Sequence, residues 1–320
     1  MPFSRFSSSA PKSRILIAFA CVYLFWGSTY LAMRIGVEVL PPFLLAAVRY
    51  CISGPLLLLI CLAQGERIRP YGSREFWTLG LIGVLMLCGG NTTVIWAEQW
   101  LPTGLAALLV ASIPLYAALI EVVRPHGDGL RARGWVGILV GFGGIVLLLW
   151  PKLRLGITGD ARQIVAAVVV LAGTLCWTIA SVIQRRVKIG VSGFAAAGWQ
   201  MCFAGFVNTL LMVGSRGWHG ARWGVQAWGS IAWLVVCGSL ITYSAYIYLL
   251  DNVAVSKVAT YAYVNPVIAV MLGAVALHER LVGVEWLGMA AILVAVFLIT
   301  RSNRAPEVDR EITALPADQA

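Results

Sequence analysis

Residues 14–34 read RILIAFACVYLFWGSTYLAMR, an uncharged run of 19 residues between two arginines. A helix of that length, at ~1.5 Å per residue, covers the ~30 Å hydrocarbon core of a bilayer, so the run predicts a membrane-spanning helix. Similar runs predict spans at residues 14–34, 41–63, 75–97, 101–123, 134–150, 163–187, 193–214, 226–250, 256–276 and 283–300. We therefore expect an all-α polytopic membrane protein with ten transmembrane helices, with eight or nine spans as the alternative counts.

The composition excludes a water-soluble globular domain. Hydrophobic residues make up 60% of the chain and charged residues 12%, whereas soluble domains carry about 25% charged residues. The formal net charge of +10 would suggest nucleic acid in a soluble protein, but here it follows the loops. With the N-terminus in the cytoplasm, sixteen of the 24 Lys and Arg residues lie inside and seven outside, and Arg49 lies within a span. We expect an inner-membrane protein with both termini cytoplasmic and no nucleic-acid partner.

An internal repeat is indicated by residue pairs at one spacing. Three tryptophan pairs lie 151 residues apart: Trp26 with Trp177, Trp77 with Trp228, and Trp135 with Trp286. Pro114 and Pro266 lie 152 apart, so each half holds five spans. Because five is odd, the second half enters the membrane from the opposite side, which predicts a 5+5 inverted repeat that exposes an interfacial site alternately to each side.

The predicted organisation along the chain has four parts. Residues 1–13 form a cytoplasmic N-terminal segment, and residues 14–155 form the first five-helix repeat. Residues 156–301 form the second repeat. Residues 302–320 mix charges with two prolines and cannot build a core, which predicts a disordered cytoplasmic tail.

Several short motifs stand in an order that is typical of one family. They are Trp26-Gly27-Ser28-Thr29-Tyr30, Pro41-Pro42, Arg49, Gly90-Asn91 and Ala262-Tyr263-Val264-Asn265-Pro266. With ten spans and a 5+5 duplication, the chain resembles the EamA-type members of the drug/metabolite transporter superfamily. The resemblance implies a central cavity lined by spans of both halves, and export or exchange of small metabolites such as amino acids.

Arg49 is the most informative candidate residue, because an ionisable side chain within a span is costly unless it faces a wet cavity or a partner. One interpretation is a charge that attracts a substrate carboxylate. The other is an arginine that ties helices together through carbonyls or a carboxylate. Its repeat counterpart is Gln200, since Trp26 to Arg49 and Trp177 to Gln200 both span 23 residues.

The other candidates are polar or aromatic residues within or at the ends of spans. Asn91 must find partners for its amide, and the inner aromatic residues could line a cavity wall or pack in the core. The complete set of cavity candidates is Trp26, Ser28, Arg49, Asn91, Trp96, Glu98, Trp177, Gln200, Tyr246, Tyr261, Tyr263 and Asn265. Pro114 and Pro266 remove backbone hydrogen bonds within spans four and nine, so we expect kinks that could act in gating.

The sequence favours no enzyme, metal site or cofactor. The seven cysteines lie inside predicted spans without ligand spacing. Gly190-Val191-Ser192-Gly193 resembles a serine-protease motif, but the three histidines lie near span ends or in loops, where none could activate Ser192. A channel or a membrane assembly factor remains an alternative to a carrier. The expected partners are a small-molecule substrate and the lipid bilayer, with the protein as a monomer or a homodimer.

Energy coupling is predicted from the placement of carboxylates. The middle of every predicted span lacks Asp and Glu, and Glu98 and Asp251 end spans three and eight on opposite sides. Exposed carboxylates at the mouths of a cavity stay ionised at neutral pH. This favours facilitated diffusion or solute exchange over proton antiport.

Overall fold

The computed structural model describes residues 12–123, 132–155, 161–253, 258, 261–278 and 283–302, and all regular secondary structure within these ranges is helical. The predicted segment 1–13 and tail 302–320 lie almost wholly outside the described residues. The first half contains α1 (Lys12–Val37), α2 (Pro42–Ala63), α3 (Ser73–Gly83), π1 (Val84–Thr92), α4 (Thr93–Ala97), α5 (Thr103–Val110), α6 (Ile113–Val123) and α7 (Ala132–Leu155). The second contains α8 (Ala161–Arg186), α9 (Gly193–Gly214), α10 (Val225–Trp233), π2 (Leu234–Tyr243), α11 (Ser244–Asn252), α12 (Tyr261–Leu277) and α13 (Gly283–Ser302).

Within the described ranges, six helical segments are long and apolar enough to cross a membrane, and each agrees with a predicted span to within three residues at either end. They are Lys12–Val37, Pro42–Ala63, Ser73–Ala97, Ala161–Arg186, Gly193–Gly214 and Val225–Asn252. Four shorter apolar stretches of 10–17 residues fall in the other predicted spans, at Thr103–Ala117, Arg133–Leu147, Val264–Leu277 and Trp286–Ala295. The all-α membrane class is confirmed, whereas the count of ten spans stays a prediction.

Equivalent helices of the two halves pack against each other through small residues. A Cβ atom at Gly54 of α2 would lie 2.7 Å from the backbone nitrogen of Cys202 on α9. A Cβ atom at Gly205 of α9 would lie 2.9 Å from the backbone nitrogen of Cys51. Because glycine adds no side chain, the two backbones approach closely, as is common between membrane helices. On α7, a Cβ atom at Gly141 would meet the side chains of Leu115 on α6 and Ala295 on α13.

The three tryptophan pairs occupy matching environments, which supports the repeat. Trp26 and Trp177 are both buried, and their ring centroids lie 5.4 Å apart. Trp77 and Trp228 are both exposed, as are Trp135 and Trp286. The direct contact between Trp26 and Trp177 puts the boundary of the two halves at this point.

Two π-helical segments interrupt the third and eighth spans at equivalent positions. Residues Val84–Thr92 form π1 and residues Leu234–Tyr243 form π2, so their last residues lie at the repeat spacing of 151 and their first residues one short of it. A π turn widens a helix and changes the direction of its side chains, and it often occurs at functional sites. The sequence analysis did not predict either segment.

The two prolines in spans four and nine have different local structures. Span four is broken between α5 and α6 at Ala111 and Ser112, and Pro114 is the second residue of α6. In a first helical turn the missing N–H of proline has no partner to lose. Pro266 lies inside the continuous helix α12. The predicted kink in span four is therefore a break just before Pro114.

Candidate functional site

Four aromatic side chains from both halves meet near the middle of the protein. Trp26 stacks on Tyr261 at 5.1 Å with a 19° interplanar angle, and it meets Tyr246 edge-on at 5.1 Å. Trp177 lies beside them, and its Nε1 donates a hydrogen bond to Tyr246 Oη at 3.1 Å. All four are buried. The structure thus brings together four of the residues that the sequence proposed for a cavity wall.

A small cavity adjoins this aromatic cluster and is lined by both halves. Its lining residues are Trp26, Tyr30, Met33, Gly90, Asn91, Val94, Val110, Ile113, Thr174, Trp177, Tyr261 and Asn265. The free space is about 30 Å³, enough for about two water molecules. None of these described lining residues is charged. A cavity of this size is too small for a solute as large as an amino acid.

Arg49 sits behind the cavity wall and orients Asn91. The Arg49 side chain is 2% exposed. Its Nη1 donates to Asn91 Oδ1 at 2.7 Å, and its Nε donates to Ser239 Oγ at 2.9 Å. These two hydrogen bonds link α2 to π1 and π2, through a side-chain amide oxygen and a hydroxyl. Whether the charge also attracts a substrate carboxylate stays a prediction.

The carboxamide of Asn91 is held in one orientation. Tyr50 Oη donates to the same Asn91 Oδ1 at 2.8 Å, so this oxygen accepts two hydrogen bonds. The amide nitrogen Nδ2 is then left for the cavity that Asn91 lines. The π1 segment supplies this geometry, because Gly90 and Asn91 both belong to it. The cavity therefore carries an amide donor with a cation directly behind it.

Asn265 supplies a polar atom of the opposite kind. Its side chain is 3% exposed and lines the cavity. The Oδ1 atom has no hydrogen-bond partner among the described residues. A buried acceptor left without a donor costs ~1–3 kcal/mol. A bound solute that donates a hydrogen bond to Asn265 would recover this free energy.

Gln200, the repeat counterpart of Arg49, belongs to a separate hydrogen-bonded chain. Tyr243 Oη donates to Gln200 Oε1 at 2.5 Å, and Gln200 Nε2 donates to Gln184 Oε1 at 2.8 Å. Gln184 in turn hydrogen-bonds the Asp251 side chain. Gln184 and Asp251 line a polar pocket of about 350 Å³ at the ends of α8 and α11. This series of hydrogen bonds thus leads from the interior of the protein to the membrane side that is predicted to be cytoplasmic.

Two further candidates, Ser28 and Trp96, lie away from the cavity lining, and a third, Tyr263, has a side chain outside the described residues. Ser28 Oγ donates to the carbonyl of Phe25 and accepts from Trp233 Nε1 at 3.1 Å, on the face of α1 toward α10. Trp96 packs against Trp100 at 4.7 Å. Tyr263 is part of α12, but its side chain is outside the described residues.

The expectation that Glu98 is an exposed carboxylate was wrong. Glu98 is fully buried at 0% exposure, because the turn after α4 packs against α1. There the Arg34 guanidinium donates a hydrogen bond to the backbone carbonyl of Glu98. Asp251 is exposed, as expected.

Sequence reasoning missed several lining residues, some of which helical spacing could have found. Trp26, Tyr30 and Met33 follow one another at intervals of four and three residues, which puts them on one face of α1. Thr174 is one helical turn before Trp177 on α8.

Among the residues that the structure describes, no group of three His, Cys, Asp or Glu side chains could hold a metal ion.

These features are those of a membrane transporter built from two related helical halves around a central cavity. The model of the EamA-like transporter family matches residues 13–150 and again residues 164–301. The chain belongs to the EamA-like transporter family. The resemblance seen in the sequence motifs is thereby confirmed.

Several known proteins match this chain over most of their own length. The inner membrane transporter YedA of Escherichia coli K12 is 36% identical over 297 residues, which covers 92% of each protein. The transporter sll0355 of Synechocystis is 28% identical over 310 residues, again covering 92% of each. A solved crystal structure aligns with 92% of this chain and 99% of its own at a TM-score of 0.65 and 23% identity, and it shares the fold.

Proposed function

We propose that the protein is a carrier that exports or exchanges small metabolites, such as amino acids or related compounds. Transport would occur by alternating access at the interface of two inverted repeats, with both termini in the cytoplasm. The observation that carries this proposal is the central cavity, which both halves line and which presents an oriented amide of Asn91 and the acceptor Oδ1 of Asn265.

The chemistry of the cavity is that of a zwitterion site. The donor Nδ2 of Asn91 has the Arg49 cation behind it, which favours a carboxylate on the cavity side. Asn265 Oδ1 suits an ammonium group, and the faces of Trp26 and Tyr261 attract cations at close range. An amino acid carries both groups. The aromatic walls also suit an apolar side chain.

The small cavity supports a cycle in which solute binding accompanies a change of shape. A free space of about 30 Å³ does not hold a metabolite, so the helices around it must separate. The break at Ala111 and Ser112 and the segment π1 adjoin this cavity. Helices with broken or widened turns move more easily than regular ones, because fewer regular backbone hydrogen bonds are lost.

The proposal is tested by counterflow in proteoliposomes with a panel of radiolabelled amino acids. A carrier accumulates label transiently when the liposomes are preloaded with the same unlabelled solute, and its rate saturates. We expect both behaviours, and we expect Asn91→Leu and Asn265→Leu to remove them. Asn252→Ala is the matched control, since this asparagine lies at the end of α11, where its side chain donates to the carbonyl of Tyr248.

Two results would contradict the proposal. Flux that grows linearly with concentration and shows no counterflow would indicate a channel. Wild-type counterflow in both cavity variants would place the solute site elsewhere in the protein.

A further inference from the structure

Two apolar grooves lie end to end between α1 and the eighth span, which consists of α10, π2 and α11. The first groove has a volume of about 440 Å³ and is lined by Arg14, Ile17, Ala18, Cys21, Phe194, Leu240, Ile241, Ser244, Ala245 and Tyr248. The second has a volume of about 420 Å³ and is lined by Ser28, Leu31, Ala32, Ile35, Val225, Gln226, Gly229, Ser230, Trp233 and Leu272. Both are far larger than the central cavity.

The grooves open on a surface that suits lipid. Large apolar side chains next to them are exposed, including Leu16 and Ile17 on α1 and Trp233 and Val236 on the eighth span. In a protein that crosses a bilayer, such a surface faces the hydrocarbon. The grooves are therefore accessible to acyl chains from the side.

The two grooves differ in charge. Arg14 lines the first groove, and it is exposed and has no hydrogen bond or ion pair with any residue that the structure describes. None of the described residues that line the second groove is charged. The first groove thus combines an apolar lining with the positive charge of Arg14 at its end.

The length and polarity of the first groove fit a phospholipid. From Arg14 to Cys21 the helix rises by ~10 Å, which lies within one half of a ~30 Å hydrocarbon core. Ser244 is 3% exposed, lines this groove, and its Oγ has no hydrogen-bond partner within the described part of the chain. Its hydroxyl can donate to an acceptor oxygen of the lipid's ester region.

We propose that the first groove binds one anionic phospholipid, with an acyl chain between α1 and the eighth span and the phosphate group at Arg14. The anionic headgroup is selected because lipid phosphates attract basic side chains at the membrane surface, by ~1 kcal/mol for each residue. The second groove takes lipid chains without headgroup selection. This inference does not depend on the identity of the transported solute.

Native mass spectrometry of the purified full chain tests the proposal, with phosphatidylglycerol and phosphatidylcholine as the added lipids. We expect wild-type protein to retain one phosphatidylglycerol molecule in preference to phosphatidylcholine. Arg14→Gln should lower this preference about fivefold, which is ~1 kcal/mol at 1.4 kcal/mol per factor of ten. Arg133→Gln is the matched control, since Arg133 is an exposed arginine near the start of α7.

A second pair of variants fills each groove in turn. Ala245→Phe occupies the first groove and should remove the retained lipid whatever its headgroup. Gly229→Phe occupies the second groove, where a Cβ atom would meet nothing within 4 Å, and should leave the phosphatidylglycerol preference intact. Thermal unfolding of each variant shows whether it is folded. If Ala245→Phe does not fold, the Arg14→Gln comparison alone decides.

Three results would overturn the proposal. The first is an unchanged preference for phosphatidylglycerol in Arg14→Gln, and the second is an equal loss in Arg133→Gln. The third is an Ala245→Phe variant that keeps its bound lipid but no longer forms dimers. That result would identify the groove as an interface between copies of the chain.

Discussion

Replacing Arg49 by alanine should nearly abolish transport while the protein still inserts and folds. Arg49 does not line the cavity, and its effect passes through the hydrogen bond from its Nη1 to Asn91 Oδ1 at 2.7 Å. Without that bond, Asn91 is oriented only by Tyr50. The amide can then rotate and present its oxygen to the cavity, where a carboxylate is repelled.

The size of the effect follows from the kind of bond that is lost. A hydrogen bond to a charged group contributes ~1.5–3 kcal/mol, so the transport rate at low solute concentration should fall about 10- to 150-fold. Tyr50→Phe removes a neutral hydrogen bond of ~1 kcal/mol and should reduce the rate only about fivefold. The two effects therefore differ by an amount that initial-rate measurements resolve.

Initial rates of amino-acid counterflow in proteoliposomes measure both variants, and size-exclusion chromatography verifies their folding. The decisive comparison is the double variant Arg49→Ala/Asn91→Ala. If Arg49 acts through Asn91, the double variant is no slower than Asn91→Ala alone. Multiplied losses in the double variant, or a wild-type rate in Arg49→Ala, would refute this reasoning.

Three further predictions concern packing, orientation and energy coupling. Gly54→Val should lower the unfolding temperature in detergent, because its Cβ would lie 2.7 Å from the Cys202 backbone. Overpacking of this kind costs ~1–3 kcal/mol. Gly143→Val is the control and should leave the unfolding temperature unchanged, because a Cβ at Gly143 would meet nothing within 4 Å. A cysteine at Ala320 should resist an impermeant maleimide in intact cells, and its labelling would place the C-terminus outside. Exchange in proteoliposomes should not need a pH gradient at zero membrane potential, because none of the described residues that line the central cavity is a carboxylate. Concentrative uptake that needs the gradient and is lost in Glu98→Gln or Asp251→Asn would establish proton coupling instead.

The spans were predictable because they depend on one property that the sequence displays directly. A run of apolar residues must be long enough to cross the hydrocarbon, and that length alone locates the helix from Gly193 to Gly214 without error. The spacing of Trp26 and Trp177 predicted that they are equivalent residues of the two halves, and the structure adds that their rings are in contact.

The site was only partly predictable, because it depends on tertiary packing. Trp26, Asn91 and Asn265 do line the cavity, as polar and aromatic residues within spans suggest. The position of Arg49 behind Asn91 could not be read from the sequence, since one helix face can point to a cavity or to a neighbouring helix. Glu98 ends a span, yet it is buried because the following turn packs on α1. Composition near a span end does not reveal such a turn.

The paired segments π1 and π2 bear on the history of the chain. A π turn accommodates an extra residue within a helix, and here the same irregularity occurs at Val84–Thr92 and at Leu234–Tyr243. One insertion that preceded the duplication explains both π segments with a single event, whereas independent insertions in the two halves would require two. The shared irregularity is therefore what descent of both halves from one ancestral unit would leave, in a chain whose two halves match the same family model.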